Sequence, residues 1–513
     1  MLDRHDPAPG EVPIVARARA RMDADAVVDG TGRWTYGELL SASRAVATLL
    51  LAGRRDLAEA RVGLAIPAGG LHVAAQWGCW RAGGVVVPVS AAASTAELTA
   101  FLGDVAPCGI LVTARPRAEL VEAATRCGVP LVALDRAALA VHADAAAPLP
   151  VIDPGRRAMI LCTSGTTSRP KGVVSTHATL TAQVESLVEA WRWAAEDRIP
   201  LFLPLHHIHG IVNVMMCCLW AGGRLEAFDR FDIDTIIERV ATDRYTVFMA
   251  VPTIYHRLLA HLERTEPRDA VTAGFRRLRL MVSGSAALPA SVHARWEALT
   301  GQKLLERYGM TEIGMALSHQ YDGERRPGSV GVPLPGVEVR IVDDDGVTIH
   351  ASDTPGEIEV RGPTVFQEYW NRPEATAEAF HDGWFRTGDV AVVEDGLYRI
   401  LGRKSMDIIK SGGYKLSALE IEAALLEHPG IAECAVVGVP DESWGEMVAV
   451  AIVPRPSAAG TGNAITLEQL RAWCRERLSP YRIPRRLVVR ESLPRNPLGK
   501  VLKPAVIALF ADG

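Results

Sequence analysis

Cysteine is scarce in this chain: 8 residues in 513, scattered apart from the adjacent pair Cys217 and Cys218. No CxxC or mixed Cys/His spacing offers a zinc site, and a chain this long needs no disulfide framework. Buried free thiols in a reducing compartment are expected. A basic surplus is missing as well. Lys plus Arg total 55 against 60 Asp plus Glu, a formal net charge of −5. That argues against a nucleic-acid partner, and any anionic ligand must be held by local groups, without help from a global positive field. Long apolar runs are also absent. The longest, around Ile211 to Trp220, is too short to cross a bilayer. The N-terminal MLDRHDPAPGEVP has early acids and prolines and no apolar core, so it does not read as a secretory signal. A soluble, cytoplasmic protein with no membrane partner is expected.

What remains is an ordinary globular balance, 48% hydrophobic and 22% charged. A chain of 513 residues exceeds one hydrophobic core, so at least two domains are expected. Over the first two-thirds, amphipathic helical stretches alternate with short β-branched runs, the pattern of an α/β protein. GVVVPVS (Gly84 to Ser90), after the apolar helix with Trp77 and Trp80, is one such run; TVFMAVPT (Thr246 to Thr253) is another. A strand–turn–strand signal follows, VEVRIV, then DDDG (Asp343 to Gly346), then GEIEVRG. After LYRILGR (Leu397 to Arg403) the texture changes to helix LSALEIEAALLEHP, strands ECAVVGVP and MVAVAIVP, helix LEQLRAWCRERL and strand RLVVRESLP. That is a small α+β domain with its own core, so the pattern divides the chain into 1–403 and 404–513. Pro454 to Asn463 reads as an exposed loop within it.

The strongest local signal is MILCTSGTTSRPKGVVSTH. A strand from Met159 to Cys162 runs into TSGTTSRPKG, Thr163 to Gly172. The hydroxyls of Ser164, Thr166, Thr167 and Ser168, with Gly165 and Lys171, suit an ATP polyphosphate. Hydroxyls and backbone N–H groups donate to phosphate oxygens, and glycine allows close approach. It is not a Walker loop: no second glycine precedes Lys171, and Gly172 stands where Ser or Thr would hold magnesium. Taken alone, a Ser/Thr-rich surface turn would account for it too.

It does not stand alone. SGSA (Ser283 to Ala286), ERYGMTE (Glu306 to Glu312), WFRTGD (Trp384 to Asp389), LGRKSMDIIKSGGYKLS (Leu401 to Ser417) and PRNPLGK (Pro494 to Lys500) follow in that order. Together these motifs resemble the superfamily of acyl-CoA synthetases, adenylation domains and firefly luciferase, over essentially the whole chain. LPLHHIHGIVNVM (Leu203 to Met215) and LLERYGMTEIGM (Leu304 to Met315) are most similar to malonyl-CoA and methylmalonyl-CoA synthetases.

The resemblance implies a large N-terminal α/β-layered domain and a small mobile α+β C-terminal domain. It implies ATP, magnesium and coenzyme A as cofactors and a small carboxylic acid as substrate. Thr166, Thr167 and Lys171 would hold the β- and γ-phosphates, with Thr163, Ser164 and Gly165 also in the ATP site. Thr311 would contact the α-phosphate, and Glu312 would ligate magnesium, a hard cation that takes oxygen ligands. The backbone of Ser285, Ala286 and Ala287 and the Tyr308 ring would enclose the adenine, with Glu306, Arg307 and Gly309 also in the ATP site. A core role is the other reading of Tyr308, and its place after Arg307 in the motif favours ligand contact. Asp389 would accept the ribose hydroxyls, with Arg403 beside it. Lys500 is the implied catalytic lysine, Lys404 the hinge, and Gly412 and Gly413 the pantetheine wall. His207 matches a histidine that gates the coenzyme A tunnel; for His209 a structural role stands level with a functional one.

A malonate-type acid puts a second negative charge in the pocket, which must be paired if buried. Arg257 and Arg307 are the candidates by resemblance, since a guanidinium binds carboxylate bidentately, with Ser285 as a hydroxyl donor. For Arg257 a solvated helix-surface charge is an equal reading. The alternatives are the same chemistry on a short-chain or aryl acid, or an adenylation protein loading a carrier protein, for which no fused carrier-like segment is seen. A non-catalytic adenylate-binding protein would be expected to lack Lys500 or Glu312, and both are present.

Overall fold

Short Val-, Ile- and Leu-rich strands, several of them buried at every position, form the centres of the main sheets. The computed structural model describes residues 10–141, 148–163, 171–242, 244–264, 269–412, 414–455, 465–495 and 501–511. They fall into two compact units, Met1–Glu338 with Val360–Phe385, and Val339–Glu359 with Arg386–Gly513.

The first unit contains a seven-stranded sheet in the order Glu368–Tyr369, Lys171–Thr176, Arg157–Thr163, Val85–Pro88, Arg61–Ala65, Gly109–Val112, Leu131–Ala133. From Arg157–Thr163 onward in that order the pairings are parallel; Lys171–Thr176 and Glu368–Tyr369 are antiparallel additions at the edge. Val85–Pro88 and Gly109–Val112 are buried at every position, as central parallel strands must be. The helix Gly70–Arg81 carries Trp77 and Trp80, both buried. The Trp80 indole N–H donates to the Ala158 carbonyl at 2.7 Å, tying that helix to the strand leading into the phosphate motif.

A second sheet has the order Val247–Ala250, Leu280–Ser283, Leu305–Met310, Gly314–Ser318, Val332–Pro333. Its first three strands are parallel and the rest antiparallel. The run TVFMAVPT therefore ends as a strand at Ala250, and Pro252 starts the helix Pro252–Leu262, where its missing N–H costs nothing. Capping boxes at Thr35/Glu38 and Ser94/Glu97 start the helices Tyr36–Leu51 and Thr95–Val105. The apolar run near Ile211 folds as a wholly buried π-helix, His209–Met216, continued by the α-helix Cys217–Ala221. Among the described residues no helix is long and apolar enough to cross a membrane.

The second unit holds a sheet in the order Tyr414–Ser417, Ile408–Ser411, Gly445–Pro454, Ile431–Asp441, with Arg486–Val489 paired to Gly445–Pro454. Helices Ala418–Leu426 and Leu467–Arg475 bury Ile421, Leu425, Leu470 and Cys474 against it. This is the α+β order read from the sequence, with the strands Ile408–Ser411 and Tyr414–Ser417 added. The loop at Pro454 to Asn463 lies largely outside the described residues. The second unit takes in residues upstream of Lys404, among them most of the hairpin Trp384–Glu394/Leu397–Arg403, which pairs Asp389 with Arg403.

Candidate active site

In the first unit, the phosphate motif interrupts an antiparallel pair. Thr163 lies opposite Lys171, and its hydroxyl donates to the Lys171 carbonyl at 3.4 Å. Ser164, Gly165, Thr166, Thr167 and Ser168 fall outside the described residues. The Lys171 Nζ sits 4.7 Å from the centroid of the Tyr369 ring, a cation on an aromatic face.

Most of the other sequence-selected groups of this unit gather at the carboxyl ends of the parallel strands, where open α/β sheets bind their ligands. The strand Leu280–Ser283 delivers Gly284 to Ala287, and Leu305–Met310 delivers Thr311 and Glu312 in a tight turn before Gly314. Ser285, Ala286 and Ala287 are exposed. Ser285 has φ 70°, a left-handed conformation that costs a non-glycine residue free energy and recurs at functional sites. Its hydroxyl lies 3.2 Å from His209 Nδ1 and accepts from Arg307 Nη2 at 3.4 Å.

Arg307 is only 5% exposed. Burial lowers its guanidinium to about 10, and its Nε has no hydrogen-bond partner among the described residues. No carboxylate among them forms an ion pair with it. Gly284 makes room for it: a Cβ there would lie 2.4 Å from Arg307 Cζ. His209 is held neutral, its imidazole pushed well below its usual range by burial, by Arg307 and by His207. Its Nε2 and both amide atoms of the fully buried Asn213 lack partners among the described residues. Both belong to the π-helix, a distortion frequent at functional sites.

Glu306 and Gly309 serve the fold as well as the site. The Glu306 carboxylate accepts the Gly328 N–H at 3.0 Å and faces His293 at 3.5 Å. A Cβ on Gly309 would come within 2.2 Å of the Gly314 carbonyl, so the hairpin admits only glycine. Tyr308 and Thr311 are half-buried. Glu312 is buried, its carboxylate accepting the Tyr369 hydroxyl at 3.0 Å.

Arg257 and His207 stand in different surroundings. Arg257 is exposed and lies 5.1 Å over the Phe231 ring, in an open pocket of about 460 Å³ shared with His256, His261 and Arg264. Among the described residues no contact joins it to Arg307 or Ser285. His207 is exposed and packs its ring on His206 at 4.3 Å.

In the second unit, Asp389 Oδ1 accepts Arg403 Nε at 2.9 Å, and Arg403 Nη1 donates to the Thr387 carbonyl at 2.9 Å. Lys404 is pinned on both sides of its turn: its N–H donates to the Gly388 carbonyl at 2.8 Å, and its ammonium meets Glu357 at 3.0 Å and Asp344 at 3.1 Å. Burial opposes its charge, but these two carboxylates together raise its pKa above the ordinary lysine value. Gly412, at φ +57°, approaches the exposed Trp444, whose ring would lie 2.7 Å from an added Cβ. Arg485 lies over that indole at 4.1 Å, and Tyr414 stacks on Tyr481 with centroids 4.5 Å apart. Gly413 and Lys500 lie outside the described residues. Lys503, close in sequence to Lys500, is buried and bonded to Asp407 at 3.0 Å and Glu422 at 2.8 Å.

Tyr369, Asn213, Trp444 and Lys503 do not stand out in the sequence. Lone polar residues inside apolar or motif-flanking runs were the signal available for them, and that signal becomes informative only once burial is known.

Two family models match the chain: AMP-binding enzyme over residues 14–370, and AMP-binding enzyme C-terminal domain over residues 420–500. The mitochondrial malonate–CoA ligase of Homo sapiens is 44% identical over 535 residues, covering 97% of this chain and 92% of the relative. The malonate–CoA ligase of Arabidopsis thaliana is 40% identical over 515 residues, covering 92% and 83%. Among solved structures, ATP-bound MatB from Rhodopseudomonas palustris superimposes with a TM-score of 0.85 at 33% identity, covering 98% of this chain and 99% of that one. A malonyl-CoA ligase ternary product complex with methylmalonyl-CoA and AMP gives a TM-score of 0.67 at 39% identity, covering 96% and 100%. With both models matched, this chain belongs to the family of AMP-binding enzymes.

Proposed function

We propose that this protein is an AMP-forming acid–CoA ligase whose acid is a small dicarboxylate, malonate or methylmalonate. The observation that carries the choice of acid is Arg307, a buried guanidinium with no carboxylate partner among the described residues. A buried unpaired cation costs several kcal/mol, and a ligand's distal carboxylate would supply the missing charge. Ser285 and the neutral His209 stand beside it as hydrogen-bonding groups. Arg257, exposed on its helix, is proposed as an outer contact, and His207 as the gate for coenzyme A.

In the first step an oxygen of the acid attacks the α-phosphorus of ATP, the bond to pyrophosphate breaks, and an acyl-adenylate forms. In the second, the coenzyme A sulfur attacks the acyl carbon and AMP leaves. Charge builds on phosphate oxygens in the first step, so positioned cations and donors are the main contribution the protein makes. Lys171, with Thr163 and the loop hydroxyls, is assigned to the terminal phosphates, Thr311 and Lys500 to the α-phosphate, and Asp389 with Arg403 to the ribose. Magnesium fits the Glu312 carboxylate beside Thr311, since this ion is commonly held by one or two carboxylates plus substrate phosphates. Glu312 would be its carboxylate ligand; when bound, the ion neutralises phosphate charge. Gly412 and Gly413, with Trp444 beside the first, are assigned to pantetheine. The eight cysteines are free, in keeping with a reducing compartment, and we place the protein in the cytoplasm.

The test is pyrophosphate release across a panel of acids, with and without coenzyme A. Malonate or methylmalonate should exceed acetate, propionate and benzoate, and the thioester should appear only with coenzyme A. Preference for acetate or a fatty acid would remove the dicarboxylate assignment; release without any thioester would favour a carrier protein as acceptor.

Lys404 is the proposed pivot between the two half-reactions. Proline there fixes φ near −65° and removes the N–H now bonded to Gly388. Lys404→Pro should spare adenylation and depress transfer to coenzyme A in single-turnover assays. Lys404→Ala, which loses only the ion pairs with Glu357 and Asp344, should leave both steps near normal. Equal damage from the two variants would mark Lys404 as a structural anchor.

A further inference from the structure

The segment Phe366 to Trp370 joins two motifs that are far apart in sequence. Tyr369 lies opposite Val173 and Glu368 opposite Val174, on the strand that follows the phosphate motif. The N–H groups of Gln367 and Trp370 donate to the Val174 and Gly172 carbonyls at 2.9 and 2.7 Å. At the other end, the Phe366 N–H donates to the Glu312 carbonyl at 2.7 Å. The Tyr369 side chain repeats the connection. Its ring face carries the Lys171 ammonium, 4.7 Å from the centroid, and its hydroxyl donates to Glu312 Oε1 at 3.0 Å. The ring is 7% exposed and packs on Phe366 with centroids 4.7 Å apart.

A tyrosine present only to fill space would gain nothing from its hydroxyl, since a buried O–H must find a partner or cost free energy. Here the partner is a carboxylate, which makes the bond charge-assisted and directional. One rigid ring, held by packing and by strand pairing, thus sets the spacing between a cation and a carboxylate. Both are the groups assigned above to the polyphosphate and its magnesium. We propose that Tyr369 is a positioning residue for ATP, holding Glu312 through its hydroxyl and Lys171 through its ring. This rests on the reading of those two groups given under the proposed function.

Two substitutions separate the two handles. Tyr369→Phe keeps the ring and removes only the donor; Tyr369→Leu removes both. Magnesium–ATP affinity is measured by calorimetry on the full chain without acid, so no turnover is needed. Tyr369→Phe should weaken it ~10-fold, the scale of a hydrogen bond to a charged group, and raise the magnesium concentration needed for half-maximal pyrophosphate release. Tyr369→Leu should weaken binding further. In a Glu312→Gln background, Tyr369→Phe should add at most ~2-fold, because residues sharing one bond are not additive. A melting temperature that falls in Tyr369→Phe with no loss of magnesium–ATP affinity would mark a purely structural role. Parent-like affinity in Tyr369→Phe, or an undiminished penalty in the Glu312→Gln background, would overturn the proposal. If the parent releases pyrophosphate with an acid and Tyr369→Phe behaves identically, this inference alone falls. A parent that releases none with any acid overturns the functional reading, and the inference with it.

Discussion

Arg307→Met should lower kcat/KM for malonate by ~30-fold to several thousand-fold, matching the ~2–5 kcal/mol seen when one partner of a buried charge pair is truncated. The same variant should activate acetate or propionate at least as well as the parent. Its melting temperature without ligand should hold or rise, because the free protein sheds a buried cation that has no carboxylate partner among the described residues. Gly284→Ala offers an independent route. The new methyl would lie 2.4 Å from Arg307 Cζ, so it displaces the guanidinium while leaving the charge in the chain. Malonate activation should fall in that variant also. Arg257→Gln, at an exposed position, should have the smaller effect of an outer contact. If all three substitutions depress every acid alike and lower thermal stability together, the arginines are structural. If Arg257→Gln alone is selective for malonate, recognition lies in the open pocket beside Phe231.

Lys500→Ala should cripple formation of the acyl-adenylate by ~10²-fold or more, the scale of removing one donor that acts in the transition state. Transfer from supplied acyl-adenylate to coenzyme A should persist, since the ammonium is assigned to the first half-reaction only. The measurement is single-turnover kinetics of each half-reaction, with circular dichroism to establish an intact fold. An equal loss in both steps would end the proposed division of labour. Lys503, buried against Asp407 and Glu422 in the same unit, is the comparison: its loss should appear first as lowered stability, because it leaves two partly buried carboxylates without their cation.

How much of this was legible beforehand follows from how local each signal is. The strand from Met159 to Cys162, the helix with Trp77 and Trp80, and the order of elements after Arg403 depend on periodicity and turn residues close in sequence, and each appears in the structure. The motif runs stood out by their order along the chain, and what each residue does there was implied by the resemblance to one family. The pairing of Asp389 with Arg403 is a hairpin register, set by strands joined through a short turn at Asp395 and Gly396. The charge balance argued against a nucleic-acid partner, and the short apolar runs against a membrane-spanning helix.

Environment was not legible, because it depends on which distant segments pack together. Motif context already favoured Arg307 over Arg257, for which a helix-surface charge was an equal reading; the structure adds that Arg257 is exposed beside Phe231 and Arg307 is buried against Ser285 and His209. Burial sets the cost of an unpaired charge, and that difference depends on tertiary packing. Tyr369 carries no motif of its own. It gains meaning because Phe366 to Trp370 docks on the strand after the phosphate motif and on the turn holding Glu312, segments about 200 and 50 residues upstream. The sequence by itself determined the chemistry available, through residue types at short spacing. The tertiary structure decided which of those groups are desolvated and which stand together, because contacts between remote segments set both.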